Sequence, residues 1–255
     1  MNQKENEPAV STSFDRDGFV VFPQFVTGEA LVDLLENVQR FIQDIVPQLE
    51  DKYVFYEEKN VPSSLKQIQH MGKHDPWFHH FFHTGRFRQV AEMLLHGPVV
   101  PKNMQYFNKP PRIGRPTPPH QDGFYFMLNP CEAVTMWFAL EEVDEDNGCV
   151  RYVKGSHKQG MREHTRTQTL GFSQGIVDYP GEADRENELA LPANAGDLLV
   201  HDSLTIHRAD GNQSLCRTRQ ALGFIYYSDR AREDVQAHSE YQKKLTEEMR
   251  ASGKI

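Results

Sequence analysis

The chain has 255 residues, 38% of them hydrophobic and 25% charged, which suits one large domain with a buried core and excludes collagenous and low-complexity classes. Its formal net charge of −8 argues against a nucleic-acid backbone as partner, because such binding is driven largely by a basic surface. The three cysteines, Cys131, Cys149 and Cys216, form no CxxC, so they indicate neither a disulfide framework nor a thiolate zinc site and fit a reducing cytoplasm.

Residues 1–13 read as a disordered polar tail, unlike a secretory or transit signal. No apolar run reaches the ~18 residues that a bilayer requires, so no membrane partner is expected. Gly18–Val26, GFVVFPQFV, reads as a short strand broken by Pro23. Thr27 then serves as an N-cap. The helix it opens has one face of Leu31, Leu34, Leu35, Val38, Phe41, Ile42 and Ile45, and Pro47 ends it. A second helical region opens at Asp75–Pro76, a cap followed by proline in the first turn. It restarts at Thr84, carries Phe87, Val90, Ala91, Leu94 and Leu95 on one face, and stops at Gly97–Pro98.

From Val99 the pattern becomes one of strands. Short apolar or alternating runs cover 99–107, 133–141, 149–153, 197–201 and 221–228. Turns such as Asp146-Asn147-Gly148 and Asn194-Ala195-Gly196-Asp197 separate them. Helices first and then many strands predict an α+β, mainly β fold, an antiparallel sandwich or barrel, in a single domain over 14–255. Residues 155–187 read as a long polar loop, functional or disordered, with Arg162 and Arg166 either solvated or facing an anionic substrate. Residues 231–252 predict a surface helix with a thin stripe of Val235, Tyr241, Leu245 and Met249.

The segment PPHQDGFY sets His120 and Asp122 two residues apart. On a strand, residues i and i+2 face the same side, so an imidazole and a carboxylate share one space. That pair suits a divalent metal and asks for a third ligand. His201 and His207, in GDLLVHDSLTIHRADGNQS, are both available. Two imidazoles and a carboxylate form the facial triad of non-haem Fe(II) oxygenases, with three open positions for a bidentate 2-oxo acid and dioxygen. The distal carboxylate of such an acid needs a cation. Arg217 and Arg219 follow in RTRQALGF on an expected strand, and a guanidinium grips a carboxylate through paired hydrogen bonds.

In this order, the HxD pair, DNGCVRYVKGSH (Asp146–His157) and GDLLVHDSLTIHRADGNQS followed by RTRQA resemble the phytanoyl-CoA dioxygenase family of Fe(II)/2-oxoglutarate oxygenases. The resemblance spans about 100–228. It implies a double-stranded β-helix, a cupin-like jelly-roll with its core at about 99–228, buttressed by N-terminal helices. It implies His120, Asp122 and His207 as metal ligands, with His201 as a core residue or one that orients a ligand. It also implies Arg219 on the distal carboxylate of 2-oxoglutarate, with Trp137, Lys66 and Gln105 as further co-substrate residues. Two departures stand out. Lys154 replaces the family's usual proline before GSH, and the His207-to-Arg219 spacing is longer than the common one, which keeps Arg217 in reserve. Asp122 is retained where halogenating relatives carry a small residue. The implied activity is therefore hydroxylation of an sp3 carbon of a small organic substrate, with Fe(II), 2-oxoglutarate and dioxygen as cofactors and release of succinate and CO2. Phe124, Tyr125, Phe126 and the 155–187 loop are the expected pocket wall and lid.

Plainer readings stand beside these. His120 and Asp122 also fit a hydrogen-bonded pair beside a turn. His79 and His83 in HHFFH lack the glutamate of HExxH and read as a packed helix end. Ser156 and His157 fit a turn cap as well as a place near the metal. The whole scaffold also fits a protein that binds metal and 2-oxo acid without turnover. The sequence leaves substrate identity and oligomeric state open.

Overall fold

The computed structural model describes residues 7–169 and 172–251. Helix α1 (Glu7–Asp17) leads into β1 (Phe19–Phe22), followed by α2 (Gly28–Arg40), β2 (Val54–Tyr56) and β3 (Leu65–Ile68). Three helices come next, α3 (Met71–His74), α4 (Pro76–His83) and α5 (Arg86–Leu94), and then β4 (Val99–Asn108) and β5 (Thr117–His120). The one-turn helix α6 (Gly123–Phe126) and β6 (Leu128–Asn129) precede β7 (Ala133–Ala139) and β8 (Val150–Val153). A hairpin of β9 (His164–Thr169) and β10 (Phe172–Ile176) is followed by α7 (Glu182–Asn187) and β11 (Glu188–Leu191). The chain ends with β12 (Leu198–Asp202), β13 (His207–Ala209), β14 (Gln220–Ser228), β15 (Arg232–Glu233) and α8 (Val235–Ala251).

Two antiparallel sheets carry the architecture. The larger has the order β1-β12-β7-β14-β4-β3-β2 and the smaller β11-β8-β13-β5. Strand alternation divides the large sheet into two faces. Val134, Met136, Phe138, Leu198, Val200, Leu222, Phe224 and Tyr226 point to one side and pack with Leu34, Phe41, Phe78 and Phe87 from α2, α4, α5 and the turn after α2. Trp137, Ala139, Leu199 and Ala221 point to the other and pack with Val150 and Tyr152 of the small sheet. Because both faces of its central strands are covered, they read as nearly continuous apolar runs.

The helices buttress the large sheet as expected. Asp75 caps α4 by accepting from Phe78 N at 3.1 Å, and its other oxygen holds Arg40 at 2.8 Å, which ties α2 to α4. Thr27 sits at the α2 N-cap, but its side chain makes no capping bond. Beyond Arg40 the chain continues through a π-helical turn, Phe41–Ile45, and a 3-10 turn holding Pro47.

Three expectations are corrected. Residues 7–13, read as tail, are the first turns of α1, which rests on β1 and α5 through Phe14; residues 1–6 lie outside the described residues. The 155–187 stretch is a hairpin and a helix, tied down where Arg162 binds Asp184 at 2.9 Å and Asp178 at 2.7 Å. Helix α8 is no plain surface helix, since Tyr241, Leu245 and Thr246 line the main cavity while Val235 is 70% exposed; the side chain of Met249 lies outside the described residues. Among the described residues, no helix is long and apolar enough to cross a membrane.

Phe224 is fully buried and stacks on Phe87 with ring centroids 4.4 Å apart. Phe224→Ala is expected to destabilise the fold by about 3–5 kcal/mol, read as a lower midpoint in urea unfolding. A midpoint unchanged from wild type would mean that the helices do not depend on this sheet face.

Candidate metal centre

His120 ends β5 and His207 begins β13, and the register sets them opposite each other. Their ring centroids are 4.1 Å apart. His120 Nδ1 lies 2.8 Å from Pro118 O and His207 Nδ1 lies 3.0 Å from Thr205 O. A carbonyl only accepts, so each Nδ1 carries the proton and each Nε2 offers a lone pair.

Asp122 reaches the same point by a route the alternation rule does not describe. It is not on the strand. Its backbone is helical, φ −61° and ψ −33°, at the start of α6. Gly123 N donates to Ser203 O at 2.8 Å and pulls the chain out of β5. A Cβ at Gly123 would stand 2.5 Å from Cys131 Sγ, so the turn needs glycine. Gln121, between the two polar residues, is fully buried. Its side chain donates to Gly160 O and Leu204 O and accepts from Arg162 N, which fixes the bend.

The two oxygens of Asp122 have different duties. Oδ2 accepts from Thr135 Oγ1 at 2.5 Å and from His201 Nε2 at 3.1 Å. Because a carboxylate only accepts, His201 carries its proton on Nε2, and its Nδ1 takes the hydroxyl of Tyr152 at 2.9 Å. Oδ1 instead faces His120 Nε2 at 3.5 Å and His207 Nε2 at 3.8 Å. Donors at ~2.1 Å from one ion stand roughly 3 Å apart when cis, so a small contraction closes this set on a metal. His120, Asp122 and His207 are the one group among the described residues whose donor atoms lie within 4.8 Å of one another. His201 sits outside that group and orients the carboxylate.

Protonation suits the same use. Burial, reinforced by His120 and His201, holds His207 well below the ordinary imidazole value. Burial alone would raise the Asp122 carboxyl, but His207, His120 and His201 outweigh it and hold it well below the carboxylate range.

The donors open onto a cavity of about 470 Å³ lined also by Arg219, Trp137, Lys66, Gln105 and Lys109. Arg219 is 5% exposed, and its Cζ lies 5.5 Å from the Trp137 ring centroid. Its Nε is buried without a hydrogen-bond partner, and burial pushes the guanidinium down to about 10. Arg217 is elsewhere, bonded to Asp144 at 2.9 Å and Asp146 at 3.1 Å. Lys66 holds Glu57 at 3.0 Å, and Gln105 accepts from Gln67 at 2.7 Å. Asn212, in the RADGNQS stretch, bonds Lys109 O and Arg217 O, so it sets the loop that leads to Arg219.

Other expectations separate here. Tyr125 and Phe126 line the cavity, whereas Phe124 turns away and stacks on His164 at 4.4 Å. Ser156 caps a turn, bonding Val153 O and Ile206 N, and His157 bonds Asp15 O. His79 and His83 stack on each other at the end of α4. Sequence reasoning missed Gln121, Thr135, Tyr152 and Lys109. Thr135 alone left a signal, as a polar residue inside the apolar run AVTMWFA.

Two imidazoles and one carboxylate oxygen converging between antiparallel sheets define the class of mononuclear sites with a histidine–carboxylate–histidine face. The phytanoyl-CoA dioxygenase (PhyH) family pattern matches residues 14–221, and the chain belongs to that family. A phytanoyl-CoA dioxygenase domain-containing protein 1 of Bos taurus is 27% identical over 263 residues, covering 85% of this chain and 88% of its own. Among solved structures, the epimerase SnoN in complex with Fe3+, alpha-ketoglutarate and nogalamycin RO is similar with a TM-score of 0.71 at 19% identity, covering 91% of this chain and 87% of its own. EctD from S. alaskensis with bound Fe is similar with a TM-score of 0.71 at 18% identity, covering 89% and 77%. At such identities the two structures speak for the fold alone.

Two expectations follow for this centre. His201→Ala leaves Asp122 Oδ2 without its imidazole partner and is expected to weaken divalent-metal binding about 10–100-fold in calorimetry, with His201→Gln recovering part of the loss. Wild-type affinity in His201→Ala would remove the orienting role. The metal-free fold should also be pH-sensitive. Burial beside Lys73 and His74 pushes His70 down to about 4, and His207 is lowered as well. Unfolding returns both to about 6.5, so below that pH the unfolded chain binds more protons. Stability is therefore fully present above about pH 6.5 and lost as pH falls toward 4. Thermal melts independent of pH across that window would contradict the assignment.

Proposed function

We propose that the protein is an Fe(II)- and 2-oxoglutarate-dependent dioxygenase that hydroxylates an sp3 carbon of a small organic substrate and releases succinate and CO2. The observation that carries this reading is the pairing, in one cavity, of three convergent donors with a buried guanidinium that lacks a protein partner at Nε. His120, Asp122 and His207 hold Fe(II), Asp122 through Oδ1. Arg219 receives the distal carboxylate of 2-oxoglutarate, with Trp137 beside it. Lys66 and Gln105 shape the same wall, though Lys66 Nζ is already engaged with Glu57 and Gln105 Oε1 with Gln67. Bound iron supplies activation of dioxygen by two-electron oxidation of the 2-oxo acid. The chain contributes ligation, orientation and exclusion of water.

The proposed architecture is a double-stranded β-helix, a jelly-roll whose two faces are the seven- and four-stranded sheets, in one domain that takes in the whole of α1. Partners are a small-molecule substrate rather than nucleic acid, in line with the net charge of −8. The three free thiols support a reducing cytoplasm as the setting.

Under nitrogen, Fe(II) with 2-oxoglutarate is expected to produce a weak visible charge-transfer band, and admitting air to release succinate. A band without succinate would leave a binding protein. Arg219→Ala is expected to raise the KM for 2-oxoglutarate roughly 10–100-fold, the worth of hydrogen bonds to a charged group. Full activity in that variant would point to metal chemistry independent of the 2-oxo acid.

A further inference from the structure

Strand register divides the cavity into two arms. The inward residues of β14 are Ala221, Gly223, Ile225 and Tyr227. Gly223 stands between Trp137 and Gln105, and Ile225 between Thr135 and Asn103. Thr135 bonds Asp122, so the metal centre is level with Ile225. Inward residues on a strand are ~6.8 Å apart, which puts Arg219 and Tyr227 on opposite sides of that level. One arm runs past Trp137 to Arg219. The other runs past Tyr227 toward α8.

The second arm is walled by rings. Tyr125 stands edge-on to the ligand His120 at 5.8 Å and to Tyr241 of α8 at 6.4 Å. Phe126 and Tyr227 pack at 5.1 Å, and Leu245 adds an aliphatic edge. The hydroxyl of Tyr125 donates to Gln174 O at 3.0 Å, which fixes the ring against the β9–β10 hairpin.

Charge in the cavity is already matched. Lys102 binds Glu233 at 2.8 Å and lies over the Tyr227 ring, and His238 binds Glu233 at 2.9 Å. Lys52 holds Glu50, Lys66 and Arg115 hold Glu57, and Arg208 holds Glu188 and Asp210. Among the described lining residues, Lys109 and Arg219 are the lysine and arginine without an acid within 4.0 Å. Arg219 lies in the first arm. Lys109 spends its Nζ on Arg115 O at 2.5 Å and Thr117 Oγ1 at 3.4 Å, and burial holds it well below the ordinary lysine value.

We infer that the second arm takes an uncharged substrate with a flat, ring-bearing or apolar portion, held against the four aromatic rings and closed over by Tyr241 and Leu245. Among the described lining residues of this arm each lysine already holds an acid, so a coenzyme A thioester or other phosphate-rich molecule finds no uncommitted cation in the lining; Arg166 stands outside it, over the Tyr241 ring at 5.6 Å. Aromatic faces favour rings and apolar groups. The two arms share a cavity of about 470 Å³, which limits the substrate to a compact organic molecule. Helix α8, which brings Tyr241 and Leu245 to this wall, lies beyond the 14–221 stretch matched by the family, whereas Tyr125 and Phe126 lie within it. The inference rests on the oxygenase reading and adds the substrate class.

The test is fluorescence titration of the full chain with prodan, a neutral two-ring naphthalene dye, with and without Fe(II) and 2-oxoglutarate under nitrogen. Binding is expected in both states. Affinity should fall at least ten-fold in Tyr241→Ala, which opens the wall, and in Leu245→Trp, which fills the arm. Leu245→Trp decides alone should Tyr241→Ala fail to fold. Octanoyl-CoA at equal concentration should not displace the dye. No dye binding to wild type, unchanged affinity in a folded variant, or displacement by octanoyl-CoA each overturns the inference. Dye binding needs no turnover, so it fails independently of the succinate assay that tests the oxygenase reading.

Discussion

His207 stands opposite His120 in an antiparallel strand pair, and their buried rings are 4.1 Å apart. Burial, with His120 and His201 beside it, holds His207 well below the ordinary imidazole value. Each imidazole of the pair anchors Nδ1–H on a carbonyl of its own strand segment, two residues back. What remains is a pair of lone pairs on adjacent strands with an ionised carboxylate facing both. The strand pairing thus sets protonation and direction together, and the neighbouring parts of the site serve to keep it so. Thr135 and His201 occupy the outer oxygen of Asp122, and Tyr152 holds His201 in the tautomer that can donate to it.

The large sheet supplies the rigid floor. Its outer face is pinned by the helices through an aromatic cluster around Phe87 and Phe224, and its inner face lines the cavity in steps of two residues along β7, β12 and β14. That spacing separates a guanidinium at one end from an aromatic wall at the other, with the donors between. Polar groups on a central strand are costly to bury unless bonded. The inner face meets this by placing its polar atoms around the cavity and satisfying most of them, with Arg219 Nε, Gln67 Oε1 and Asn108 Oδ1 among the exceptions in the described lining residues.

The parts of the site legible in the sequence were those written as short patterns. HQD, the histidine before RADGNQS and the arginine in RTRQA each combine a rare residue type with a turn or a strand run beside it. The helices on the outer face were legible through their apolar steps of three and four. Asp122 was found for an incomplete reason: alternation on a strand predicted its direction, whereas Gly123 and the buried Gln121 turn it there from a helical backbone. The β9–β10 hairpin was hidden because β9, HTRTQT, is polar throughout and the stretch around it is tied by ion pairs such as Arg162 with Asp184, which leave no hydrophobic period. Helix α8 was misread because a few cavity-facing residues on a charged helix look like the sparse stripe of a solvated one. Strands β2 and β3 were missed because they are three and four residues long, too short for a period to show.

Anaerobic calorimetric titration of Fe(II) into the purified chain tests the centre most directly. One ion per chain, with binding abolished in His120→Ala and again in His207→Ala, is the expected result. A chain that binds its ion equally well without His207, or that binds none with all three donors intact, would contradict a metal held between these two strands.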